Sequence, residues 1–283
     1  MLREVAALLA ARTGQAQIVG ITGSPGVGKS TSASGLVSAF RAAGQRVGVL
    51  AVDPSSPFTG GALLGDRVRM QEHATDPDVY IRSMASRGHL GGLAWATPQA
   101  LRVLDAAGCD VVLVETVGVG QSEVDVAGLA DTTVVLLAPG MGDGIQVAKA
   151  GILEIADIYV VNKADREGAD NVLRDLRAML ALVGGNAQSW RPPIVKTVAN
   201  QGEGLARVVE AIGQHRAWME STGELDRRRS RRARDEIEAI ALTSLRERFG
   251  NVHGHDRLDE LADAVAAGQT DPYAAADEVI AAF

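Results

Sequence analysis

The run Gly23-Ser-Pro-Gly-Val-Gly28-Lys29-Ser30 limits what this chain can fold into more than any other feature. It fits G-x-x-x-x-G-K-[ST], a phosphate-cradling loop that works only between the end of a strand and the start of a helix. Both flanks are present: residues 17–22 are β-rich, and residues 30–43 read as a helix ended by Gly44. Glycines let the backbone curl so that successive N–H groups face phosphate oxygens, and the helix adds its positive dipole end. Gly23, Ser24, Pro25, Gly26, Val27 and Gly28 would form the cradle. Lys29 would bridge the β- and γ-phosphates, Ser30 would ligate Mg²⁺ and Thr31 would reach the α-phosphate. Chance would supply such a match only about 0.01 times in a chain of this composition.

The rest of the chain provides the fold that this loop demands. Strand-like runs at 17–22, 46–52, 79–83, 111–114, 133–138, 157–161 and 194–197 alternate with helical runs at 30–43, 94–107, 165–183 and 205–220. Short, nearly continuous apolar strands between helices predict an α/β domain, a mostly parallel sheet flanked by helices. After residue 221 only helical patterns follow, so the expected division is a nucleotide-binding domain at 1–221 and a helical arm at 222–283. Since the α/β core closes before 222, a chain ending there should fold by itself. The apolar run from Val5 to Ala11, with Arg3 before it and Arg12-Thr13-Gly14 after it in place of a small-x-small cleavage site, reads as a short amphipathic helix and not as a leader peptide.

Composition narrows the functional classes. Aromatics are 4% and the net charge is −7, which argues against nucleic acid as a partner. The basic run at 227–234 is followed by Asp235, Glu236 and Glu238, and is read as a solvated or partner-facing helix. No apolar run approaches the roughly 18 residues that cross a bilayer, so no membrane association is expected. A single cysteine, Cys109, permits neither an internal disulfide nor a thiolate metal cluster. These features fit a cytoplasmic protein. Of 28 basic residues only four are lysine, Lys29, Lys149, Lys163 and Lys196, and all four fall in loops that could handle a nucleotide. Lysine is a compact point charge where arginine is a wide planar fork.

Two further loops point to the base and to the metal. Asn162-Lys163-Ala164-Asp165 follows the run 157–161 and matches the Asn-Lys-x-Asp element that reads guanine. Asp165 can accept from guanine N1–H and the 2-amino group, the Lys163 stem can cover the base, and Asn162 can tie the loop together. The plainer alternative is a helix N-terminus capped by Asn162 or Asp165. Glu115-Thr-Val-Gly118 ends the buried run 111–114, where ligands sit in such sheets. Glu115 could reach Mg²⁺ and the Gly118 N–H could face the γ-phosphate. Asp53 ends the second strand beside the phosphate loop and is read evenly as a metal-shell residue or a turn residue.

With these residues in place, the chain resembles the metallocofactor-assembly group of P-loop GTPases, and within it the MeaB/ArgK-type proteins. The stretches that carry the resemblance are 20–31, 52–57, 64–70, 86–93, 115–123, 151–157 and 162–165. The resemblance implies a GTP/GDP-binding chaperone of adenosylcobalamin-dependent methylmalonyl-CoA mutase that gates cofactor loading and protects the mutase. It places Asp66 with Ser30, Asp53 and Glu115 around Mg²⁺, and Gln146 and Lys149 in a switch loop at 142–149. It implies that Thr197, Val198 and Ala199 form a second guanine loop, with backbone N–H groups near the base oxygen. It makes 222–283 a homodimerisation arm. One departure is that the chain before the phosphate loop is shorter than the family's usual one, which puts an N-terminal partner contact in doubt.

The expected chemistry is slow GTP hydrolysis, since Val119 stands where many GTPases carry a water-positioning Gln. Lys29, Glu115 and Gly118 are the residues expected to act on the γ-phosphate. Two other enzymatic readings remain open: a nickel-insertion GTPase, and a small-molecule kinase linked to basic amino-acid transport. A nonenzymatic scaffold is the third.

Overall fold

The structure is a computed structural model and describes residues 2–54, 70–86, 96–116, 122–140, 154–182, 189–249 and 256–281. Among the described residues, seven strands form one sheet: β1 (Gln17–Thr22), β2 (Val47–Pro54), β3 (Val79–Ser86), β4 (Val111–Thr116), β5 (Thr132–Leu137), β6 (Ile158–Val161) and β7 (Ile194–Lys196). Their order is β3-β2-β4-β1-β5-β6-β7, and every pair is parallel. All seven expected strands are present. The helices described are α1 (Leu2–Leu9), α2 (Lys29–Ala42), α3 (Thr97–Ala106), α4 (Ser122–Leu129), α5 (Ala169–Leu182), α6 (Leu205–Thr222), α7 (Glu224–Phe249), α8 (Asp256–Ala266) and α9 (Pro272–Ala281).

Every residue of β1, β4, β5 and β6 is buried, as a parallel sheet covered on both faces requires. Alternation along the strands divides the core. Val19, Ile21, Val49, Leu113 and Ile158 pack with Leu36 and Phe40 of α2 and with Val208 and Ile212 of α6. Ile18, Leu50, Val112 and Val114 face the other way, against Leu101 and Leu104 of α3 and Val126 of α4.

The amino end of the sheet is closed by aspartates that precede the strands. Asp110 accepts the N–H of Arg46, Asp131 that of Ile18, and Asp157 that of Thr133. Each carboxylate satisfies a backbone donor of a neighbouring strand that the ladder leaves over. Two of these carboxylates are buried and are paired by consecutive arginines at the start of α7. Arg228 grips Asp157 with two bonds of 2.8 Å, and Arg229 reaches Asp131 at 3.0 Å and the carbonyl of Ala16 at 2.9 Å. His215 of α6 lies fully buried beside them, with Nδ1 2.9 Å from the Thr132 hydroxyl and Nε2 3.3 Å from Asp157. Its ring packs against Trp190 and Trp218.

This arrangement corrects the reading of the basic run. Arg228 and Arg229 hold the sheet, and neither is a freely solvated or partner-facing cation. Contacts divide the chain into two compact units, residues 1–229 and 230–283, past the boundary at 221 read from composition. In the second unit Leu261 of α8 and Ala275 of α9 are buried, while Ile237, Leu242 and Leu245 of α7 are exposed.

Candidate functional site

The loops expected to meet the nucleotide all leave the carboxyl edge of the sheet. β1 runs into the phosphate loop, whose turns are set by glycines with positive φ. A Cβ on Gly23 (φ +141°) would lie 2.3 Å from the Leu136 carbonyl oxygen, so only glycine lets the loop start against β5. Gly28 (φ +96°) caps α2, and Ser32 N–H donates to its carbonyl at 2.9 Å. Pro25, Gly26 and Thr31 are exposed, while Val27, Lys29 and Ser30 are buried.

The Lys29 ammonium donates to the carbonyls of Gly23 at 2.6 Å and Ser24 at 3.2 Å. It is held by carbonyls of the loop itself, neutral partners that phosphate oxygens could replace. Ser30 Oγ donates to Glu115 Oε1 at 2.6 Å. Glu115 is the penultimate residue of β4, in register with Ile21 of β1 and Ala51 of β2. Asp53 follows Ala51 and Val52 on β2, so its backbone stands beside this strand end.

Asn162 joins the glycine-rich loop after β1 to the segment that follows β7. Its Nδ2 donates to the Val27 carbonyl at 2.8 Å, and its Oδ1 accepts from Thr197 Oγ1 and Ala199 N–H, each at 3.1 Å. Lys163 takes φ +56°, which turns its side chain back over the phosphate loop, where Nζ donates to the Gly26 carbonyl at 2.7 Å. Asp165 is exposed at the rim. The structure therefore brings Lys29, Ser30, Glu115, Asn162 and Lys163 together at one edge.

Some expectations change. The helix read from 165 starts at Ala169, because Gly168 (φ +89°) sits in a left-handed conformation that a helix excludes. The N–H groups of Thr197, Val198 and Ala199 donate to Val161 O, Glu203 O and Asn162 Oδ1. These donors are occupied by the protein, so the segment's visible work is to hold Asn162. Lys196 pairs with Asp170 of α5 at 2.6 Å on the surface and does not turn toward the phosphate loop. Gly118, Asp66, Gln146 and Lys149 lie outside the described residues, as does the Asp53 side chain. Sequence reasoning missed Asp131, Asp157, His215, Arg228 and Arg229; the signal was an Asp just before several strands.

A family model described as "Methylmalonyl Co-A mutase-associated GTPase MeaB" matches residues 2–253. A Pyrococcus abyssi protein named as a GTPase is 49% identical over 280 residues, covering 98% of this chain and 86% of the relative. The GTPase ArgK of Escherichia coli is 37% identical over 218 residues, 76% of this chain and 66% of the relative. The mouse mitochondrial methylmalonic aciduria type A homolog is 35% identical over 269 residues, 94% of this chain and 65% of that protein. Among solved structures, one described as an LAO/AO transport system kinase superposes with a TM-score of 0.72 at 24% identity, covering 98% of this chain and 84% of the other. Helicobacter pylori HypB in complex with nickel gives a TM-score of 0.51 at 17% identity, over 75% of this chain and 94% of that one. At those identities the two structures show a shared fold, that of P-loop GTPases. Among the described residues, no helix is long and apolar enough to cross a membrane.

Proposed function

Because the chain belongs to the MeaB family of methylmalonyl-CoA mutase-associated GTPases, we propose that its GTP hydrolysis serves an adenosylcobalamin-dependent acyl-CoA mutase, with methylmalonyl-CoA mutase as the partner. In this reading the protein is a switch that gates cofactor loading and protects the mutase, and 222–283 is the arm through which two copies pair. The relative named for methylmalonic aciduria supports the choice of mutase.

The observation that carries the nucleotide half of this reading is the bolt formed by Asn162. It fixes the loop that cradles phosphate against the loop that reads the base, so the two recognise one molecule. Asp165, an acceptor only when ionised, selects the two donors of guanine. Lys29 leaves its carbonyl partners for the β- and γ-phosphate oxygens and offsets charge as it develops on them. Ser30 and Glu115 offer hard oxygen donors 2.6 Å apart, a set that suits Mg²⁺. With Asp53 and Asp66 they would hold the ion, which when bound neutralises charge on the β- and γ-oxygens. Val119 stands where many GTPases carry a water-positioning Gln, which supports a slow intrinsic rate that rises when a partner orders the site.

The test is co-purification of the protein with candidate acyl-CoA mutases, with GDP or a non-hydrolysable GTP analogue. Retention of a cobalamin-dependent mutase that changes with the nucleotide is the expected result. Equal absence in both states removes the partner assignment and leaves the GTPase intact.

A further inference from the structure

Arg228 is connected to the base loop through one short strand. Asp157 and Asn162 flank β6, which is only Ile158–Val161. On the amino side, Arg228 Nη1 and Nη2 donate to Oδ2 and Oδ1 of Asp157, and Nη1 also donates to the Asp131 carbonyl at 3.0 Å. On the carboxyl side, Asn162 holds Val27, Thr197 and Ala199, and Asp165 follows. The strand between is buried and laddered to β5 and β7. At about 3.3 Å per residue, the backbones of Asp157 and Asn162 stand roughly 16 Å apart on one stiff rod.

We propose that Arg228 is a positioning residue for guanine-nucleotide binding, its bidentate grip fixing the axial place and rotation of β6 and with them Asn162 and Asp165. The inference rests on the reading of 162–165 as the base loop. Three observations support it. The grip is directional, because both oxygens of a carboxylate 8% exposed are held by one planar fork. The same fork ties the starts of β5 and β6 together, so their relative place is set at that end. The far end has no slack either: a Cβ on Gly28 would lie 2.5 Å from Asn162 Nδ2. Hydrogen bonds from Asp165 to a base weaken steeply with small misplacement. Arg228 also lies at the close of the first compact unit, on the helix that continues into the second. Load on that helix would therefore reach the base loop, and bound nucleotide would bias the helix in return.

The test compares Arg228→Lys, and the paired variant Asp157→Asn with Arg228→Gln that leaves no lone buried charge, with the wild type. GDP, GTP and inosine triphosphate affinities, KM for GTP and urea unfolding are measured; the inosine nucleotide lacks the 2-amino group. Both variants should bind GDP and GTP about 5- to 20-fold more weakly, with a matching rise in KM and a smaller preference for GTP over inosine triphosphate. An ion pair that only stabilises would lower the urea midpoint and leave affinities and preference unchanged, which overturns the proposal. Should the paired variant not fold, Arg228→Lys alone decides, since it keeps the charge and removes the fork. Asp165→Asn is run in parallel. If it leaves base preference unchanged, the base-loop reading fails; if it alters preference and the Arg228 variants do not, only the positioning role fails.

Discussion

At the carboxyl edge of the sheet Lys29 and Lys163 direct their ammonium groups at backbone carbonyls, whereas at the amino edge Arg228 and Arg229 direct their forks at buried carboxylates. The difference follows from what each edge must do. A carbonyl is a neutral partner that an arriving phosphate can replace, and a point charge on a flexible stem can follow the new partner. A buried carboxylate cannot lose its cation without leaving a charge uncompensated in a medium of low dielectric. Exchangeable contacts therefore gather where a ligand enters, and permanent ones where the frame is closed. The scarcity of lysine in the chain has the same logic at Lys29 and Lys163, though not at Lys196, which serves a surface pair.

The sharpest way to break the comparison is Lys29→Ala. Hydrolysis should fall by about 10³-fold or more and GTP binding should weaken, while the unfolding midpoint stays close to the wild-type value. Near-normal turnover would show that the carbonyl-held ammonium is not the phosphate contact. At the other edge the effect should reverse. Asp131→Ala strands the Ile18 N–H and the Arg229 fork, and should cost about 3–5 kcal/mol in urea unfolding with kcat little changed. A chain ending at 221 loses both arginines and should suffer at least as much, whereas one ending at 229 should unfold cooperatively. Equal midpoints for those two truncations would place the closure of the frame elsewhere.

The third prediction concerns pH. Burial pulls His215 down to about 4 from its ordinary 6.5, against the opposing pull of Asp157 and with the help of Arg228. The folded-state value is the lower one, so between about pH 6.5 and 4 the unfolded chain takes up a proton that the folded chain refuses. Stability should thus fall as pH falls through that window, by about 3 kcal/mol. His215→Gln should flatten this part of the profile of midpoint against pH; an unchanged slope assigns the loss to other groups. The smallest effect expected is a change of preference. Asp165→Asn should weaken GTP at least about tenfold and strengthen xanthosine triphosphate, because the amide donates where guanine also donates. Calorimetry with both nucleotides checks it.

The two edges also differ in how legible they were. The Gly23–Ser30 and Asn162–Asp165 runs are contiguous and depend on neighbours in the chain, so local reading places them at the ends of β1 and β6, where the structure has them. The amino edge depends on partners far apart: Arg228 and Asp157 are 71 residues apart, and Arg229 and Asp131 are 98 apart. A run of arginines carries no mark of which carboxylates it will meet, so it reads as a solvated face. The start of α5 was misplaced for a different reason. Residues 165–167 are polar enough to open a helix, but the positive φ of Gly168 delays it.

The close approach of Gly28 to Asn162 has a consequence for how such a chain can change over time. The two residues belong to motifs far apart in sequence, yet they share one small volume, and any side chain at 28 would need both a left-handed backbone and space that the amide already fills. Neither motif can drift alone. Substitutions at the two positions should be strongly non-additive, and grafting one loop onto another scaffold without its counterpart would carry over the residues but not the fit between them.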